Sequence, residues 1–95
     1  MEKLDLLARE SINIVEEEYD KARLDKNESE DWVFVLETLL KYIDEEDNDT
    51  PLGIWTSIVT MIAAEYNAYK NNEEIIDKIE SLDSKLIKLA TSLGF

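Results

Sequence analysis

The sequence lacks cysteine and histidine altogether. Without cysteine the chain can form neither a disulfide nor a thiolate metal site. Without histidine it loses the most common general base, the most common neutral metal ligand and the usual pH switch. Serine-based catalysis would also lack its histidine partner, and no glycine-rich phosphate loop is present. We therefore expect a protein that binds another molecule, with no enzymatic activity, no cofactor and no metal.

Basic residues are scarce, because 10 Lys and Arg stand against 23 Asp and Glu, which gives a net charge of −13. Such a chain offers no basic patch to nucleic acid and is repelled by anionic membranes. Its longest uncharged stretch is shorter than the ~20 residues that span a bilayer. Its first five residues lack the basic-then-apolar order of a signal peptide. These features predict a cytoplasmic protein, in the producing cell or a host cell, whose partner is a basic protein.

Glycine and proline are rare as well, with two and one residues, which favours helices over many short strands. A chain of 95 residues is expected to form one domain, 1–95. Apolar residues at spacings of three and four predict four helices. The short connections between them make sequential helices antiparallel, so we expect an all-α, up-down-up-down four-helix bundle.

The first helix is predicted from about residue 2 to 25, the second after Ser29, and the third from Pro51, capped by Asp49 or Thr50. The fourth begins after 71–72, and because Ser81 and Ser84 lie within it, the prediction allows a bend or break near them. The expected core stripes are Leu4, Leu7, Ala8, Ser11, Val15, Tyr19 and Ala22; Trp32, Val35, Leu36, Leu39 and Ile43; Trp55, Ile58, Val59, Ile62, Tyr66 and Tyr69; and Ile75, Ile79, Leu82, Leu86, Leu89 and Leu93.

Acidic residues concentrate in 27–50, where nine of them stand against Lys41 alone. They form clusters at 28–31 and 44–49, which lie roughly 20–25 Å apart along a helix. The three glutamates at 16–18 of the first helix would lie opposite the middle of the second helix. Phe34 falls off the apolar stripe and is predicted to be an exposed aromatic. The predicted partner-binding residues are Asp44, Glu45, Glu46, Asp47 and Asp49, with Glu28, Glu30 and Asp31 as a second contact and Phe34 as an apolar anchor.

Spaced carboxylates on a rigid helix resemble the phosphate line of a nucleic acid and attract a basic partner. The leading hypothesis is therefore an inhibitor or regulator of a nucleic-acid-handling protein, in the manner of phage-encoded DNA mimics and anti-CRISPR proteins that block host defence nucleases. In the alternative interpretation the acids only keep the protein in solution.

The third helix carries no charge between Thr50 and Ala64, although a solvent-facing helix normally has charged residues on its outer side. This pattern predicts either that the helix is central and covered on both sides, or that its back contacts another protein. The second case includes a homodimer, and a homomeric structural protein is the runner-up to the inhibitor hypothesis.

Two metal chemistries are less favoured. The 44–53 stretch fails the calcium-loop pattern, since a loop starting at Asp47 has Pro51, Leu52 and Ile58 at its fifth, sixth and twelfth positions. A metal-dependent nucleotide pyrophosphohydrolase requires paired carboxylates facing the bundle interior. None of the candidate acidic pairs faces inward on the predicted stripes: Glu17 with Asp20, Glu28 with Asp31, Glu74 with Asp77, and Glu80 with Asp83.

Residues 47–55 form an acidic stretch followed by Thr-Pro-Leu-Gly-Ile. This stretch resembles the start of the last helix in colicin-nuclease immunity proteins, which are small acidic helical bundles. Those proteins carry a Tyr-Tyr-Pro recognition segment just upstream, whereas this chain has Leu-Lys-Tyr-Ile at 40–43. The resemblance implies an immunity-type inhibitor, which is one form of the leading hypothesis.

Overall fold

A computed structural model describes residues 2–45 and 50–95, with the side chain of Glu45 excepted. These residues form four α-helices and no strand: α1 (Lys3–Leu24), α2 (Glu30–Glu45), α3 (Pro51–Ala68) and α4 (Glu73–Ser92). The predicted all-α four-helix bundle is confirmed. No helix in the described part of the chain is both long enough and apolar enough to cross a membrane.

Local hydrogen bonds define where the helices start. The Ser29 hydroxyl accepts from the Asp31 backbone N–H at 3.2 Å ahead of α2. Thr50 caps α3 by accepting from the Gly53 N–H at 3.0 Å. Such caps satisfy backbone N–H groups that have no partner within the helix. Pro51 occupies the first position of α3, where its missing N–H costs nothing.

The end of α4 is closed by a Schellman motif. Gly94 has a φ of 93°, a left-handed conformation that glycine adopts without steric penalty. The N–H of Phe95 donates to the Ala90 carbonyl at 3.0 Å, and the N–H of Gly94 donates to the Thr91 carbonyl at 3.0 Å. These two bonds use carbonyl groups that the helix itself leaves free.

Residues that line a common groove show how the four helices are arranged in the bundle. Residues 12–20 of α1 share a groove with 40–44 of α2, and residues 22–23 share one with 30–33, so these helices are antiparallel. Val59 of α3 shares a groove with Asp83 of α4, and the short connection from Ala68 to Glu73 joins their near ends, so this pair is antiparallel too. The start of α1 lies beside the start of α3. Helix α1 makes the most extensive contact with the other three helices. Helices α2 and α4 make the least contact with each other, so they lie farthest apart, at opposite corners of the bundle.

The core stripes of α1, α2 and α4 are largely those predicted. All five predicted residues of α2 are buried, and in α4 the seam is buried from Ile75 to Leu86 and half-buried beyond it. The break that the prediction allowed near Ser81 and Ser84 does not occur, because α4 is one helix from Glu73 to Ser92. Both serines point outward, so the packed seam beneath them continues without interruption.

Helix α3 departs from its predicted burial. Only Ile58 and Ile62 are buried among its 18 residues, while Val59 and Tyr66, both predicted as core, are each 42 % exposed. The back of the helix is also exposed rather than covered, so the first of the two alternatives, a central α3 covered on both sides, is wrong. The exposed back-face residues are Thr56, Thr60, Ala63 and Ala64.

Candidate functional site

The outer face of α2 combines acidic side chains with an exposed aromatic ring. Its buried stripe faces the core, so the residues at the opposite helical positions point to solvent. Phe34 is 60 % exposed there, which confirms the predicted exposure of its ring, while its role as an apolar anchor stays a prediction. The exposed Glu30 lies one turn before it and the exposed Glu37 about one turn after it. With Asp44 near the end of the helix, the carboxylates extend over about 21 Å.

A groove between α1 and α2 adjoins this face at its C-terminal end. The groove has a volume of about 340 Å³, and its apolar residues are Ile12, Tyr19, Leu40 and Ile43. Glu16 and Asp20 of α1 and Asp44 of α2 supply carboxylates to its lining. We call the combination of this groove and the outer face of α2 the acidic side, defined by Glu16, Asp20, Glu30, Phe34, Glu37 and Asp44.

Arg23 is a basic residue at the edge of the acidic side. Its guanidinium lies 3.5 Å from the Asp20 carboxylate, and both side chains are more than half exposed. The same guanidinium stands 5.9 Å from the centre of the Tyr19 ring, within range of a cation–π contact. An exposed pair of this kind holds little energy and can be exchanged for a partner's cation.

The first predicted acidic cluster does not form one surface. Glu28 is drawn toward α4, where its carboxylate lies 2.5 Å from the Lys78 ammonium, and its side chain is only 15 % exposed. Glu30 is exposed on the outer face of α2. Asp31 is exposed near the end of α3, where its charge contributes to the raised pKa of Tyr69. Of the three acids, Glu30 alone belongs to the acidic side.

The second predicted cluster is only partly described. Asp44 is exposed and lines the α1–α2 groove. The backbone of Glu45 belongs to α2. The side chain of Glu45 and the residues Glu46, Asp47 and Asp49 lie outside the described part of the chain, so their role in binding stays a prediction.

Three residues of the acidic side were absent from the predicted binding set. Glu37 follows Phe34 by three positions, so helical spacing was a sufficient signal for it. Glu16 and Asp20 become part of the surface only through the pairing of α1 with α2. Within the predicted 16–18 group, Glu16 faces the groove, whereas Glu18 turns to the other edge of α1 and forms an ion pair with Lys85 of α4.

Two perturbed ionisable groups lie near the end of α3. Burial raises the pKa of the Glu65 carboxyl above its ordinary value. The pKa of the Tyr69 hydroxyl is raised by burial first, and then by the negative charges of Asp31 and Glu65. These shifts reflect burial and neighbouring negative charge at this end of the bundle, away from the α1–α2 groove.

The described acidic side chains are dispersed rather than gathered. Among residues 2–44 and 50–95, no group of three or more carboxylates is close enough to hold a metal ion. The arrangement therefore suits contact with several separate cationic groups. Comparison with protein-family models, with curated proteins and with solved structures yields no match for this chain.

Proposed function

We propose that this protein is a non-catalytic binding module that occupies the basic surface of a nucleic-acid-handling protein through its acidic side, and so inhibits or regulates it. The observation that carries the proposal is the exposed Phe34 ring among the carboxylates of the outer face of α2. Exposed carboxylates alone are compatible with plain solvation. A large aromatic ring in their midst is not explained by solvation, because its exposure to water is unfavourable.

The two kinds of group contribute differently to binding. Carboxylates accelerate the encounter with a basic protein and orient it, and this effect weakens as salt rises. An aromatic ring supplies apolar area that leaves water in the complex, and such rings often carry much of the binding energy. Phe34 and the acids around it therefore provide both steering and an anchor.

The α1–α2 groove suits a lysine or arginine side chain of the partner. Its apolar lining by Ile12 and Leu40 can cover the aliphatic stem of such a side chain. Glu16 and Asp44 in the same lining can then receive the charged head group. This recognition chemistry matches a protein that itself binds phosphates with Lys and Arg.

The class of partner follows from charge. Proteins that handle nucleic acids carry basic surfaces built to meet a line of phosphates. Glu30, Glu37 and Asp44 spread over about 21 Å of α2 and present part of such a line of negative charge, on a side that also carries the exposed Lys41 between Glu37 and Asp44. We extend the proposal to a DNA-mimic inhibitor, of phage or immunity type, that acts in the cytoplasm of the cell where its target resides.

The test is a pull-down from a bacterial lysate with the tagged protein, washed at about 0.05 M and about 0.5 M NaCl. We expect a basic protein in stoichiometric amount that is released at the higher salt. The purified partner is then titrated against two variants, Phe34→Ala and the triple variant Glu30→Gln, Glu37→Gln, Asp44→Asn. Each should weaken the affinity about tenfold or more, since each removes either the anchor or the steering charge.

A matched control separates the acidic side from total charge. The triple variant Glu73→Gln, Glu74→Gln, Asp77→Asn removes three equally exposed carboxylates at the start of α4. It should leave the affinity within about twofold, because net charge alone has a small effect once salt screens it. Equal weakening by both triple variants, with no effect of Phe34→Ala, would show that the acidic side is not the binding surface.

A further inference from the structure

We propose that the exposed face of α3 is the interface of a homodimer, with a second copy of this chain as its occupant. The stretch from Thr50 to Ala64 carries no charge on any side of α3, yet the helix buries only Ile58 and Ile62 in the bundle. Helix α2 buries five large residues over a shorter length. An apolar helix that a fold leaves uncovered is typical of an interaction surface.

Exposed apolar side chains continue from α3 onto the adjoining edge of α4. Leu52, Val59 and Tyr66 are 56 %, 42 % and 42 % exposed on α3. Ile87, 56 % exposed, lies one turn beyond Asp83, which faces α3 from α4. A groove of about 400 Å³ separates the two helices, with Ile62 and Ile79 at its base and the acidic Glu80 and Asp83 on its α4 side. Four of the seven large hydrophobic residues exposed in the described chain therefore belong to one surface.

Charge identifies the occupant as a second copy. Each copy carries −13, so two copies repel one another wherever carboxylates meet. Residues 51–72 carry Glu65 and Lys70 and no net charge. Identical molecules can therefore approach along α3 with no acid before Glu65, while Glu80 and Asp83 line the α4 border of the same face. A basic partner gains no attraction there, and it has the acidic side to bind instead.

The dimensions of the face set the expected strength of the dimer. An 18-residue helix is about 27 Å long, and a surface two helices wide covers roughly 500 Å² on each copy. This lies near the lower end of specific interfaces, so a dissociation constant in the micromolar range is expected. In a two-fold arrangement the midpoint of α3, between Val59 and Thr60, lies near the axis.

The test is sedimentation equilibrium of the untagged protein from about 1 to 200 μM at low and high salt. We expect the mass to rise from 11.0 kDa toward twice that value. Dimerisation should be stronger at high salt, since screening reduces the repulsion between two acidic copies. Thr60→Glu should remain monomeric over the whole range, because it places a carboxylate from each copy near the axis.

Ser81→Glu is the matched control, since it adds the same charge at an exposed position on the outer side of α4. It should dimerise within about threefold of the unsubstituted chain, and circular dichroism should show both variants equally helical. A mass of 11.0 kDa at every concentration overturns the proposal and leaves the α3 face to another protein. A dimer that survives Thr60→Glu overturns it too, by assigning the contact to a different face. Neither result bears on the acidic side, which Thr60→Glu leaves intact.

Discussion

The hydroxyl of Ser11 is buried in the core of the described chain without a hydrogen-bond partner. Burying such a group without a partner costs free energy, and alanine is also the better helix former. We expect Ser11→Ala to raise the free energy of unfolding by about 1 kcal/mol, measured by urea denaturation. The exposed Ser81→Ala should gain only the helix-propensity part, about 0.5 kcal/mol. A loss of stability in Ser11→Ala would mean that the hydroxyl has a favourable role in the core.

Glu65 links the stability of the fold to pH. Because burial raises the pKa of this carboxyl in the folded state, the folded protein binds its proton more tightly than the unfolded chain does. The stabilisation from that proton is present at low pH and is lost as pH rises through the folded pKa. Glu65→Gln should therefore raise the melting temperature more at pH 7 than at about pH 4. An equal change at both pH values would contradict this.

At the residue scale, the sequence could predict those features of the proposed binding surface that depend on the position of a residue within one helix. Phe34 is exposed because its position falls off the apolar stripe of α2, which the sequence displays directly. Glu28 was misplaced because its cation, Lys78, is fifty residues away in the chain. Helical spacing alone would pair Lys78 with Glu74, four residues before it. Ion pairs between helices depend on packing that no short-range pattern records.

At the scale of the helices, the buried face could be predicted from the sequence only where a helix has distinct polar and apolar faces. In α1 and α2 polar and apolar positions alternate with the helical period, so the buried stripe was clear. Helix α3 carries no charge on any side up to Ala64, so no charged face indicated which side points outward. Its burial is set by contact with α1 and α2, which placed Val59 and Tyr66 outside the core.

Helix α4 is held in the bundle partly by ion pairs, to Glu28 through Lys78 and to Glu18 through Lys85. A double-mutant cycle with Glu28→Gln and Lys78→Met should give a coupling energy of about 1 kcal/mol, because both side chains are largely shielded from water. The corresponding cycle with Glu18→Gln and Lys85→Met should give less, since Lys85 is more exposed than Lys78. Equal coupling in the two cycles would contradict this dependence on burial.

On the scale of the whole molecule, charge is segregated between faces. The acidic side lies on α1 and α2, and the uncharged surface lies on α3, with Glu80 and Asp83 at its border on α4. Added salt should weaken an association made through the first and strengthen one made through the second. The sign of the salt dependence thus distinguishes the two proposed contacts before any variant is made.

The central place of α1 has a consequence for how the bundle opens. Every other helix packs against α1, whereas α4 has the least contact with its neighbours. Local fluctuations should therefore release α4 first and leave a three-helix remnant built on α1. In hydrogen exchange, the amide protons of α4 would be replaced through partial opening, and those of α1 only when the entire chain unfolds.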